Sequence, residues 1–179
     1  FTKELYIEKG DFKEDAPRKF HRLKPGGEVR LRYAYIIKCE EVVKDSSGNI
    51  KELICSYDPD TKSGIGKSDK KVKGTIHWVS AKHSFDAEIR LYDRLFKVHN
   101  PAASNDLERT INPDSLKTVQ AKLEDSLELE DAPPSFQLER TGYFCLDTKL
   151  SNEKKRIYNR IVTLRDSWAK IEKAAMSQG

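Results

Sequence analysis

From Val29 to Ile37 the chain alternates: Val29, Leu31, Tyr33, Tyr35 and Ile37 fall on one parity, and Arg30 and Arg32 on the other. Side chains alternate across a β-strand, so this pattern sets the two guanidiniums together on the face opposite the apolar row. Alternation over residues 28–44 stops at DSSGN (45–49) and resumes in IKELICSYD (50–58). Two such runs joined by a short Asp/Ser/Gly/Asn segment predict a β-hairpin. A strand-and-turn framework is therefore the starting point for the whole chain.

The remaining segments continue it. Residues 4–8, 72–80, 85–96, 116–123, 135–147 and 156–166 are strand-like, and HNPAASND (99–106) is a polar break. Asp11 with Glu14 gives a capping-box signature for a short helix limited by Pro17, and residues 168–176 have the composition of a short terminal helix. Short strands separated by turn signals predict a mostly-β fold of antiparallel barrels with short helices in the connections. Of the 179 residues 37% are hydrophobic and 35% charged, enough for modest cores and too little for a large α/β enzyme.

Net charge is +4, from 33 basic and 29 acidic residues, so the distribution of charge carries more information than its total. Cys39, Cys55 and Cys145 are scattered with no C-x-x-C spacing, which predicts buried free thiols in a reducing compartment. No apolar run is long enough to span a membrane, and the opening FTKELYIEKG is unlike a signal peptide, so a soluble cytoplasmic protein is expected. The four histidines and three cysteines lack ligand spacing, and no metal site is expected. SGIGKSDKK (63–71) resembles a phosphate-cradling loop, but the pattern requires glycine where Thr61 stands, and a surface loop is predicted instead.

The basic positions are the candidates for chemistry. Lys19, His21 and Arg22 lie just upstream of the Arg30/Arg32 strand, and the turn KPGG (24–27) folds them back toward its start. Gln137 and Arg140 stand three apart in SFQLER, on opposite faces of an extended strand unless a bulge intervenes. A basic strand alone fits a solvated face. Arginines converging with Gln, Lys and Tyr on a barrel offer the phosphate and base-edge contacts that single-stranded RNA loops require.

The blocks VRLRYAYIIKCEEV, VKGTIHWVSAKHSFDAEIRLYDRLF, INPDSL, FQLERTGYFCLD and TLRDSWAKI, in this order from about Leu5 to Ile171, resemble the C-terminal anticodon-binding region of the glutaminyl-tRNA synthetases. The resemblance implies two six-stranded-type antiparallel β-barrels like those of ribosomal 5S-RNA-binding proteins. A distal barrel is expected at 22–100, a proximal one at 1–21 with 101–168, and a tail at 169–179. It implies binding of the anticodon loop of tRNA(Gln) by Lys19, His21, Arg22, Arg30, Arg32, Gln137, Arg140 and Arg165. Lys19 and His21 stand where a bacterial pattern has glutamine and lysine, which bears on individual base contacts rather than on the surface.

The resemblance further implies upstream strands with at least one anticodon-contacting arginine, and a Rossmann domain with His-Ile-Gly-His and Lys-Met-Ser-Lys-Ser type signatures. This sequence contains none of these. ATP-dependent ligation is accordingly expected in the catalytic domain of a parent enzyme, and tRNA binding without a cofactor, as a monomer, in this chain. Two other readings stay open at this point: the equivalent region of a eukaryotic-type glutamyl-tRNA synthetase, and a barrel that docks an acidic protein partner.

Overall fold

A computed structural model describes residues 1–128 and 134–164. The chain forms two compact units, Phe1–His83 and a second beginning at Ser84. The polar break at 99–106 lies inside the second unit. Both units are mostly β with short helical connections, as expected. No helix among the described residues is long and apolar enough to cross a membrane.

The first unit contains β1 (Leu5–Ile7), β2 (Glu28–Leu31), β3 (Ile36–Lys44), β4 (Ile50–Asp58), β5 (Thr75–Ile76) and β6 (Trp78–Ser80). β1 pairs with β6, and the larger sheet has the order β4-β3-β2-β5. The predicted hairpin is β3–β4. The Asp45 carboxylate accepts the backbone N–H groups of Ser47 and Asn49, both at 2.9 Å, and fixes the turn. In β2 the alternation works as read, since Val29 and Leu31 are buried while Glu28 and Arg30 are only half-buried. The two apolar residues join Phe12, Leu23, Ala34, Ile37, Cys39 and Ile76 in one core. Truncating a buried Leu such as Leu31 to Ala typically costs about 2–5 kcal/mol.

The predicted continuous strand 28–44 is instead two strands. The backbone leaves β2 at Arg32, turns through Tyr33 at φ 57°, and re-enters as β3, which pairs antiparallel with β2. Alternation alone missed this turn because it contains no Gly, Asn or Asp to mark it. The helix expected after Asp11 does not form either. Residues Lys9–Asp11 make one 3-10 turn, and the Asp11 side chain is buried against Arg22 rather than capping a helix. Of the three thiols expected to be buried, only Cys39 is; Cys145 is half-buried and Cys55 exposed, because little packs on either face of β4 and most of its residues are exposed.

The second unit contains β7 (Ser84–Tyr92), β8 (Leu116–Glu124), β9 (Ser135–Leu138), β10 (Gly142–Leu146) and β11 (Arg156–Val162), in the sheet order β8-β7-β11-β10-β9. β7, which falls within the 22–100 stretch grouped together from sequence, hydrogen-bonds into this sheet. Ala87, Ile89, Leu123, Phe144 and Tyr158 form its core, and the Tyr158 hydroxyl donates to the Leu127 carbonyl at 3.2 Å. The strand predicted over 135–147 is a tight hairpin, β9–β10, turning at Arg140 with φ 63°. Gly142, at φ 152°, suits this bend, since a Cβ there would press on the Val162 carbonyl. The predicted terminal helix at 168–176 lies outside the described residues.

Among the described residues each unit carries a parallel strand pair, β2 with β5 and β7 with β11, where purely antiparallel barrels were expected. Among the described residues the pairing leaves the sheets open rather than closed into a ring. Parallel neighbours require long connections. The segment from β2 to β5 supplies one through the β3–β4 hairpin and the loop after it, and that loop reaches the candidate site.

Candidate nucleic-acid interface

Residues 13–22 form a loop pinched shut at its base by the core. Phe12 and Leu23 pair as a bridge and are both buried, with the Leu23 N–H donating to the Asp11 carbonyl at 2.9 Å and the Lys13 N–H to the Leu23 carbonyl at 3.2 Å. Everything between them is pushed outward. Lys44 reaches Glu14 at 2.9 Å and ties the loop to β3.

Opposite the loop runs the approach to β5. Gly74 is buried, and a Cβ there would overlap the carbonyl oxygen of His21, so only glycine lets the two backbones come this close. The Gly74 carbonyl accepts the Arg30 N–H at 2.9 Å, which fixes this wall to β2. A cleft of about 550 Å³ opens between loop and wall, lined by Lys13, Lys19, Phe20, His21, Arg22 and Lys73 with Gly74 and Thr75.

Arg22 is half-exposed and held from behind. Its Nε lies 3.3 Å from the buried Asp11 carboxylate, its Nη1 donates to the Gly10 carbonyl at 2.9 Å, and its guanidinium carbon sits 5.9 Å from the Phe20 ring centroid. Lys13 Nζ stands 5.5 Å from the same ring. An aromatic ring flanked by two cations suits an unpaired base and its phosphates, because stacking is indifferent to sequence and the cations neutralise the backbone. Lys19 and Lys73 have no carboxylate within ion-pair distance among the described residues.

The cleft thus brings together three of the residues read from sequence, Lys19, His21 and Arg22. Arg30 is directed elsewhere. Its Nη1 donates to the carbonyls of Thr61 (2.6 Å) and Ala34 (3.1 Å) and lies 3.3 Å from the Ser63 hydroxyl, so it staples the 59–63 segment to the β2–β3 turn. Ser63 N–H to the Ala34 carbonyl and Ser68 N–H to the Asp60 carbonyl complete an organised loop where the phosphate-loop look-alike stands. Arg32 does not share a strand face with Arg30, because it begins the turn, where its guanidinium lies over the Tyr33 ring at 4.9 Å.

In the second unit Gln137 is exposed on β9 opposite Tyr143, and Arg140 is exposed at the hairpin tip. The bend at Arg140 takes the pair out of the simple strand parity used to read them. Arg165 lies outside the described residues. Sequence reasoning missed Lys13, Phe20 and Lys73; a Lys beside a glycine in KVKG and a Phe between Lys19 and His21 were the available signals, but only the Phe12–Leu23 pinch and the Gly74–His21 approach assemble them.

Comparison with known proteins places the chain in a family. Two family models, each described as the anti-codon binding domain of class I (E and Q) tRNA synthetases, match residues 1–58 and 75–147. The glutamine–tRNA ligase of Photobacterium profundum is 54% identical over 96% of this chain and 31% of its own length. That of Rhodopirellula baltica is 54% identical over 96% of the chain and 29% of its length, and that of Tolumonas auensis 56% identical over 94% and 31%. The chain therefore spans under a third of the curated relatives it matches. By the two domain matches and these identities, the chain belongs to the anticodon-binding family of the class I tRNA synthetases of the E and Q type.

Proposed function

We propose that this chain reads the anticodon loop of glutamine tRNA on behalf of a glutamine–tRNA ligase, whose catalytic domain carries out the ATP-dependent attachment of glutamine. The observation that carries the reading is the cleft with Phe20 between Lys13 and Arg22. In it, Lys13, Lys19 and Lys73 neutralise phosphates, while Arg22, oriented by Asp11 through Nε and by the Gly10 carbonyl through Nη1, presents Nη2 to a base edge or phosphate. Gln137 and Arg140 on the β9–β10 hairpin and Arg165 beyond it supply further contacts to the loop. Arg30 and Arg32 serve the same surface by holding and forming the β2–β3 turn. The setting is the cytoplasm, and the chain acts as a monomer.

That the relatives are glutamine–tRNA ligases favours glutamine over glutamate as the cognate amino acid. The test is a titration of the protein against a glutamine-tRNA anticodon stem-loop and versions with the three anticodon bases replaced. The expected result is tighter binding to the cognate loop, with a good bidentate base contact worth about 1–3 kcal/mol. Equal binding to all loops would leave only a general RNA or acidic-partner surface and would refute the reading.

A further inference from the structure

Tyr33 is the anomaly of the first unit. It is 80% exposed, the most exposed of its large hydrophobic side chains, and it holds a left-handed φ of 57° that an aromatic residue adopts only under constraint. The constraint is visible on every side. The Leu31 N–H donates to the Tyr35 carbonyl and the Ala34 N–H to the Leu31 carbonyl, both at 2.9 Å; the Arg32 N–H donates to the Ile76 carbonyl at 3.0 Å, and Trp78 Nε1 donates to the Arg32 carbonyl at 2.9 Å. Arg30 and Ser63 clamp the Ala34 carbonyl. Buried Ala34 and Leu31 anchor the turn from beneath.

The fold therefore spends a rigid, strained turn on presenting a phenol ring to solvent. The Arg32 guanidinium lies over that ring at 4.9 Å, with Nη2 3.3 Å from the Tyr33 hydroxyl. A ring fixed in orientation and backed by a cation loses little freedom on stacking, and the same cation is within reach of the phosphate of whatever base stacks there.

We propose that Tyr33 is a stacking platform for one unpaired nucleobase of the bound RNA loop, the base taking the ring face away from Arg32. This rests on the anticodon reading above and adds a contact that the arginine and glutamine pattern does not contain. The ring selects no base by hydrogen bonding; it selects an unstacked nucleotide over a paired one.

The test uses the full chain and a glutamine-tRNA anticodon stem-loop carrying 2-aminopurine at one loop position at a time. Wild type should quench the fluorescence at a loop position that Tyr33→Asn leaves unquenched, and Tyr33→Asn should bind about tenfold more weakly, within the range of a lost base–aromatic stack. Asparagine tolerates the left-handed backbone, so the melting temperature of Tyr33→Asn should hold or rise while affinity falls, a split that a merely structural role would not give. Tyr33→Trp and Tyr33→Phe should keep both the quench and the affinity. Wild-type binding with Tyr33→Asn unchanged in affinity and quenching would overturn this proposal alone. A wild-type chain that bound no stem-loop would overturn the anticodon reading and this proposal with it.

Discussion

The cleft of the first unit and the β7–β11 seam of the second handle charge differently, although the first unit also pairs Lys38 with Glu40, Lys44 with Glu14 and Lys70 with Glu28. In the first, Lys13, Lys19, Arg22 and Lys73 are pushed onto an exposed cleft around Phe20, and among the described residues only Arg22 of these is paired, to a buried Asp11 that orients it. In the second, cations turn toward carboxylates of their own sheet. Glu88 on β7 takes Arg90 at 3.0 Å and Lys155 at 2.8 Å, and Asp147 accepts the Asn159 amide at 2.9 Å with Arg90 3.9 Å away. Charge left unpaired is available to a ligand, and the Lys155–Glu88 pair ties the approach to β11 onto β7 at the parallel seam. Net charge alone, at +4, shows neither arrangement.

The sharpest way to break this contrast is Gly74→Ala. Its Cβ would run into the His21 carbonyl, so the loop and the β5 wall must separate. We expect a loss of about 1–3 kcal/mol in urea unfolding, as for overpacked sites, and a loss of RNA binding of tenfold or more. A variant that bound normally would show that the cleft is not the RNA site.

Next in size is the salt dependence. Lys13→Ala with Lys73→Ala should weaken binding equally for cognate and swapped anticodons and lower the slope of log affinity against log salt by about 0.7 per lost phosphate contact. Lys155→Ala, its counterpart in the second unit, should leave that slope unchanged and show itself only in stability.

The pH dependence of stability sharpens the other side of the comparison. Lys155 and Arg90 hold Glu88 below the usual carboxylate range, and the Asn159 amide with the Leu150 N–H does the same for Asp147. Their folded values lie below the unfolded ones, so this stabilisation is present above about pH 4 and is lost as pH falls through the folded values. Glu88→Gln should flatten the acid limb of a thermal-melt series for the second unit; an unchanged limb would mean that the seam does not depend on this pairing.

The smallest effect concerns a thiol. Cys55 stands opposite Cys39 in the β3–β4 register, and desolvation, with Cys39 beside it, pushes its thiol up to about 12. Although the residue is exposed, iodoacetamide at pH 8 should modify it much more slowly than a free cysteine, because the thiolate is the nucleophile. Rapid labelling at Cys55 would contradict that environment.

What was legible in the sequence was local. Val29 and Leu31 alternating with Arg30 mark a strand with one buried face, and Asp45 with Gly48 between two alternating runs marks the β3–β4 hairpin, but not the point where β2 ends. The turns at Tyr33 and Arg140 escaped because both place a left-handed backbone on residues that ordinarily avoid it, held at Tyr33 by the contacts from Arg30, Ser63 and Trp78 and at Arg140 by the β9–β10 pairing. The site divides the same way. Lys19, His21 and Arg22 are near neighbours and could be read as a group, whereas Lys13 and Lys73 join them through the Phe12–Leu23 pinch and the Gly74–His21 approach, which no local pattern encodes. Arg30 was read correctly as off the apolar face, and its Nη1 is engaged by Thr61, Ala34 and Ser63, contacts that no local pattern encodes.

The most direct measurement is photo-crosslinking of the protein to glutamine-tRNA anticodon stem-loops carrying 4-thiouridine at each anticodon position in turn, with the crosslinked peptides identified by mass spectrometry. At least one position should crosslink within residues 13–22 or 73–75, and competition with unlabelled cognate loop should abolish it. Crosslinks absent from both segments at all three positions, or undiminished by the cognate loop, would contradict the assignment of the first unit's cleft to the anticodon.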